Sequence, residues 1–272
     1  MVTRVFLLGC LLVATSARTQ DAPIRDITID TADAAAQIES EIESVEAMQS
    51  LDEELRSSVL EQLRTAKALL QSRLDAVAAA DSYAAALDTA PAAANALKAE
   101  LDEPLPEPET AEDVGIDEIT SLSELKQRLA KETADLTAID SEVAELNARI
   151  QADVDRPALA RERIGQLEAR RRELATSGEE PTDVSEHPML RNATRLAAQF
   201  RRAAYGAEIN MLEQELLSHA VRLDLLRTKL EVAARSQVLL KRRTDLLRAA
   251  VNERQRIAER EAQQAAIAAE MA

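Results

Sequence analysis

Few groups in this sequence could carry nucleophilic, acid–base or metal chemistry. One cysteine, Cys10, and two histidines, His187 and His219, are the whole thiol and imidazole inventory. The histidines stand roughly thirty residues apart with no cysteine and no HExxH pattern beside them, so their spacing does not make a metal site. Glu39, Glu41, Glu43 and Glu46 are carboxylates close enough for acid–base work inside a pocket, but on one side of a helix with nothing around them they form a solvated face. The triplet Arg170 to Arg172 favours a helix dipole without any phosphate ligand. The sequon Asn192-Ala193-Thr194 falls within a helical pattern, where a chance match is the better reading. No glycine loop for phosphates, no Gly-x-Ser-x-Gly, no Cys/His pair and no EF-hand is present. The sequence therefore predicts no catalytic, cofactor-binding or metal-ligating residues, no cofactor and no enzymatic activity.

The composition says what such a chain can build. It is 46% hydrophobic and 30% charged, but only 1% aromatic, with no tryptophan and five glycines. Burial must then come from Leu, Ile, Val and Ala along helix seams, not from a deep aromatic core. The net charge of −16 is unevenly spread. Residues 21–120 hold roughly two dozen acidic groups against about half a dozen basic ones, whereas residues 191–261 are net basic. The basic residues are interleaved with Asp224, Glu231, Asp245 and Glu253 and lack stacking aromatics, so no nucleic-acid surface is expected.

The stretch from Leu216 to Ala262 has no Gly or Pro and reads as one long helix. Leu226, Ala233, Leu240 and Leu247, interleaved with Leu230 and Val251, give the 3/4 alternation of a seam that needs a partner helix. Ser218 is placed to cap its start. The fold class expected is all-α, built of extended antiparallel helical hairpins in a coiled-coil-like bundle.

From the N-terminus, residues 1–17 form a secretory signal peptide: Arg4, an apolar run from Val5 to Ala14, and small residues near Ala17. Too few apolar residues precede Cys10 for a lipoprotein site. Residues 18–30 are a flexible lead, and 31–101 an N-terminal helical module. In that module Asp30 or Thr31 caps a helix with Ile38, Ile42, Val45 and Met48 on one face. Ser50 and Glu53 make a capping box for a second helix, with Leu63, Leu70, Val77 and Ala84 in register and Leu60 and Leu74 between them. Pro91 starts a third, short helix. Residues 102–120, with Pro104, Pro106 and Pro108, are an acidic linker and the clearest internal boundary. Residues 121–176 are expected as an antiparallel hairpin. It opens on a capping box at Ser121 and Glu124, follows the heptad of Leu122, Leu129, Leu136, Val143 and Ile150, breaks near Asp155-Arg156-Pro157, and returns through Leu159, Ile164, Leu167 and Leu174. Residues 177–188 are a loop. Residues 189–272 are a long C-terminal hairpin if the chain reverses near Ser218. No segment after the signal approaches the ~18 apolar residues of a membrane span.

Two groups of residues carry a family resemblance. Leu216-Leu217-Ser218, Arg222 with Leu225-Leu226, and Asn252-Glu253-Arg254 form one. Ala68-Leu69, Asp81-Ser82-Tyr83, Ala86-Leu87, Ala90-Pro91 and Leu97 through Leu101 form the other. Together they resemble the periplasmic N-terminal region, the MscS porin domain, of MscS-type mechanosensitive channels of the KefA/MscK potassium-efflux group. The resemblance covers roughly residues 30–265. It implies a periplasmic, non-catalytic helical module of the cell envelope, which in that family precedes many transmembrane helices and a pore that releases ions under membrane tension. With no pore and no membrane segment before Ala272, the chain is expected not to conduct by itself, being either a truncated or split channel product or a free-standing relative. The partners implied are MscS-type channel subunits or other envelope proteins, together with self-association. A general periplasmic coiled-coil adaptor unrelated to channels is the alternative.

Overall fold

The computed structural model describes residues 33–104, 110–117, 119–176 and 187–271. Among these residues the architecture is all-α, with four helices and no strand: α1 (Ala34–Ala47), α2 (Glu53–Asp102), α3 (Leu122–Thr176) and α4 (Pro188–Glu270). The expected signal peptide, the flexible lead, and residues 105–109 and 177–186 of the two proline-bearing loops lie outside the described residues.

The helices are longer and fewer than the sequence reading has them. Pro91 does not begin a new helix, because α2 runs through it to Asp102. Alanines on both sides are the best helix formers, and Ala90 and Ala94 are buried across the proline. Nor does α3 break at Asp155-Arg156-Pro157: it is continuous from Leu122 to Thr176, so 121–176 is one helix and not a hairpin. Ser218 neither caps nor turns the chain. It is fully buried inside α4, and its hydroxyl donates back to the Gln214 carbonyl at 2.9 Å. The antiparallel hairpin is instead made by α3 with α4.

Two compact units divide the chain, Met1–Leu69 with Gly178–Phe200, and Leu70–Ser177 with Arg201–Ala272. The 102–120 segment thus does not separate them. In the first unit α1 and the start of α2 run antiparallel, joined by Arg64 to Glu46 at 3.0 Å and by Lys67 to Glu39. The expected α1 face is buried at Ile38, Ile42 and Val45, along with Val59, Leu63, Met189 and Phe200. Glu41 departs from the solvated face assigned to it and is 8% exposed. Asp52, not Ser50, caps α2 by accepting the Glu54 N–H at 3.2 Å.

In the second unit the seam of α3 follows the heptad, with Leu125, Leu146, Ile150, Leu167 and Leu174 buried and Leu129, Leu136, Ile139 and Val143 half-buried. Opposite it, α4 buries Ile209, Leu212, Ala233, Leu247 and Val251. Leu125, Leu247 and Val251 form one cluster, and Ala160, Leu167, Ile209 and Leu212 another. The α2 face differs from its heptad here: Leu74 and Val77 are 48% and 41% exposed, while Ala76, Ala80, Ala90 and Ala94 are buried. Ser121 caps α3 as expected, accepting the Glu124 N–H at 3.2 Å, but the Glu124 carboxylate turns to Arg128 rather than closing the box.

The acidic segment before α3 packs on the bundle. Val114 and Ile116 lie against the Leu125 cluster, and Gly115 turns the chain at a φ of 68°, where a side chain is disfavoured. Arg128 donates to Gly115 O at 2.8 Å, and Arg254 donates to Asp117 O at 3.1 Å. Farther along α4, Arg235 bonds the carbonyls of Glu100 and Leu101 at 3.0 Å and of Pro104 at 3.1 Å, meeting the open end of α2. At the end of α3, Arg202 takes the same part, donating to Leu174 O at 2.8 Å.

Burial ranks the substitutions. Leu125→Ala is expected to cost about 2–5 kcal/mol in urea unfolding, whereas Leu74→Ala costs under about 1 kcal/mol; equal effects would contradict the inner face described for α2 and α3. The Thr110 and Thr120 hydroxyls hold the Asp113 and Asp117 carboxyls below the ordinary carboxylate range. A carboxyl whose pKa is lower in the folded state stabilises above its unfolded pKa, and that support is lost as pH falls through the folded value. Amide hydrogen exchange across residues 110–117 should therefore accelerate selectively as pH drops from neutral to about 3, after correction for intrinsic exchange. In the Asp113→Asn, Asp117→Asn variant that selectivity should vanish.

Candidate functional site

Within the second unit a set of polar groups gathers around a proline. Pro157 sits within α3 and has no N–H to give the carbonyl four residues back. That carbonyl belongs to Asp153, and His219 of α4 supplies the missing donor, its Nε2 lying 2.9 Å from Asp153 O. A carbonyl only accepts, so the proton of this bond sits on Nε2 whether the imidazole is neutral or charged.

Charges surround this bond. The Asp153 carboxylate lies 3.7 Å from His219 Nε2 and 3.7 Å from Arg222 Nη2. Arg222 in turn stacks over the Tyr83 ring of α2, 4.7 Å from its centroid. One turn along α3, Arg156 meets Glu215 with both arms of its guanidinium, at 2.6 and 2.8 Å, and Glu215 is 3% exposed. The Glu215 hydrogen bonds raise the Arg156 pKa, burial opposes the rise, and the attraction of Glu215 and Asp153 adds to it, so this arginine stays charged. Two turns farther, Arg163 pairs with Glu208 at 2.7 and 3.2 Å. Asp153 Oδ2 and Arg222 Nε and Nη2 are buried without a hydrogen bond, so Arg222 is held by its ion pair and by Tyr83.

These groups are arranged for packing. Ser218 and His219 adjoin in sequence, yet each is committed to a different backbone carbonyl, so they do not form a nucleophile–base pair. Of the residues weighed for chemistry, Glu39 and Glu46 pair with Lys67 and Arg64, Arg172 pairs with Glu168, and His187 accepts the Met189 N–H at 3.3 Å at the start of α4. Only His219 enters the charged layer. Sequence reasoning missed Asp153, Arg156, Glu215 and Arg222 as a group, although the signal was present: the α3 heptad keeps its phase across Pro157 from Ile150 to Ile164, which a hairpin would have reset. Among the described residues no group of three or more His, Cys, Asp or Glu is placed to hold a metal ion. No described helix is long and apolar enough to cross a membrane.

Long helices packed along apolar seams, with a charged layer between two of them, define an all-α helical bundle module. Residues 41–272 match the mechanosensitive ion channel porin domain, and with a match over most of its length the chain belongs to that family. Searches of curated proteins and of solved structures found no match.

The bond across Pro157 makes a specific prediction. His219→Leu is expected to cost about 1–3 kcal/mol in urea unfolding by leaving the Asp153 carbonyl unpaired. In a Pro157→Ala background, where an N–H returns to that carbonyl, the same substitution should cost measurably less. Equal costs in both backgrounds would show that proline and histidine are not coupled.

Proposed function

We propose that this chain is a periplasmic, non-catalytic helical module of a KefA-like, MscS-type mechanosensitive system, exported by its N-terminal signal and acting as an interaction scaffold in the cell envelope. The observation that carries the reading is the family match over residues 41–272, which begins within α1 and runs through α4. The hairpin of α3 and α4 supports it: two long antiparallel helices offer extended outer faces to a partner while their seam is filled by Leu, Ile, Val and Ala. The polar groups of the interior serve those helices, through carbonyl bonds and ion pairs, in keeping with a mechanical part and not a catalytic one.

The partner is an MscS-type channel subunit. Site-specific photo-crosslinking from exposed positions of α3, such as Ala144 and Ala158, in intact cells is expected to capture an MscS-type pore protein. Reproducible capture of a different envelope protein, with no pore protein recovered by crosslinking or by co-purification, would overturn the channel reading in favour of a general periplasmic adaptor.

A further inference from the structure

We infer that the charged layer around Pro157 is a register lock, selecting one alignment of α3 against α4 from several that the apolar seam would accept. The contacts define a single antiparallel register. Moving up α3, Asp140 meets Gln237, Asp153 meets His219, Arg156 meets Glu215, Arg163 meets Glu208, and the Leu174 carbonyl meets Arg202. The seam itself discriminates poorly. Leu226, Ala233, Leu240 and Leu247 repeat at heptad spacing, so sliding α4 by seven residues replaces apolar groups with apolar groups along much of α3.

The layer does discriminate. A slide in one direction would leave Arg163 a partner in Glu215 but set Arg156 against Arg222, and bring Leu226 to Asp153. In the other direction Arg156 would keep a partner in Glu208, while Arg163 faces Arg201 and Asp153 faces Leu212. Each slide juxtaposes like charges; the second also puts Glu215 where Arg222 stood beside Asp153, while the first keeps a cation there in Lys229 but places Arg156 against Arg222. Both also remove His219 from the carbonyl that Pro157 leaves without an N–H. A proline inside one helix and a histidine on its neighbour thus mark one axial position, a role like that of single polar residues in coiled-coil seams.

The test uses the full chain with Cys10→Ser and paired cysteines as reporters. Asp140→Cys with Gln237→Cys reports the native register, and Asp140→Cys with Thr244→Cys or with Leu230→Cys reports a slide either way. A heptad slide is about 10 Å of helix rise, beyond the reach of a disulfide. Under mild oxidation the native layer should give the 140–237 disulfide alone. Replacing Asp153, Arg156, Glu215 and His219 by leucine should keep helicity and raise the slid-register disulfides at least about tenfold, since apolar replacement of buried ion pairs is commonly tolerated. A folded variant that still forms only the 140–237 disulfide overturns the proposal. A second variant guards against misfolding. Arg156→Glu repels Glu215 in the native register but attracts Arg222 in one slid register, so the disulfide should move to 140–244. Adding Glu215→Arg should return it to 140–237, and failure of that swap to restore the native disulfide also overturns the proposal.

Discussion

The continuity of α3 through its middle rests on one hydrogen bond that the helix cannot make for itself. A proline in a helix interior costs about 3 kcal/mol, partly through the N–H it lacks. A buried carbonyl left open costs about 1–3 kcal/mol more. His219 reaches across from α4 to the Asp153 carbonyl, and α3 passes through Pro157 without ending. The continuity of one helix is therefore tied to a donor on the other. Secondary and tertiary structure depend on each other at this point, and the neighbouring ion pairs hold the two helices where the bond can close.

The same logic runs through the basic half of the sequence. Several arginines on α4 and α3 finish other elements. Arg202 completes the end of α3, Arg235 the end of α2, and Arg128 and Arg254 hold the turn before α3. Guanidinium suits this work because its donors lie in a fixed fork on a long stem and its charge favours the negative end of a helix. Ion pairs also join elements in the second unit, as at Lys98 and Asp224, 2.7 Å apart, where the signs run against the overall charge asymmetry.

The sequence displayed the periodicity and hid the connectivity. The seams of α3 and α4 were legible because a leucine repeat reports which face is buried whatever the partner is. Pro91 and Pro157 misled for one reason: local rules price a proline by the bond it removes, while tertiary contacts offset that cost, a distant donor at Pro157 and buried flanking alanines at Pro91. Such a donor, His219, lies 66 residues from Asp153. Ser218 misled similarly, since a serine bonding back to its own helix and one capping a new helix look alike in a string of letters. The α2 surface was misjudged because leucine outweighs alanine in a heptad count, yet Ala76, Ala80, Ala90 and Ala94 are buried and Leu74 lies outside. Of the charged layer, the sequence offers Arg156 as part of a helix break, Arg222 as part of the family resemblance and His219 as a metal-ligand candidate, and none of these readings brings them together.

That alanine face has a thermodynamic corollary. A methyl group has no rotamers to freeze, so packing Ala76, Ala80, Ala90 and Ala94 surrenders no side-chain entropy, whereas each buried leucine gives up about 0.5–1 kcal/mol. The inner side of α2 also gains little dispersion energy, because it offers few atoms to its neighbours. Over residues 76–94 this helix is therefore attached by close fit more than by adhesion, unlike its start, where Val59, Leu60 and Leu63 are buried.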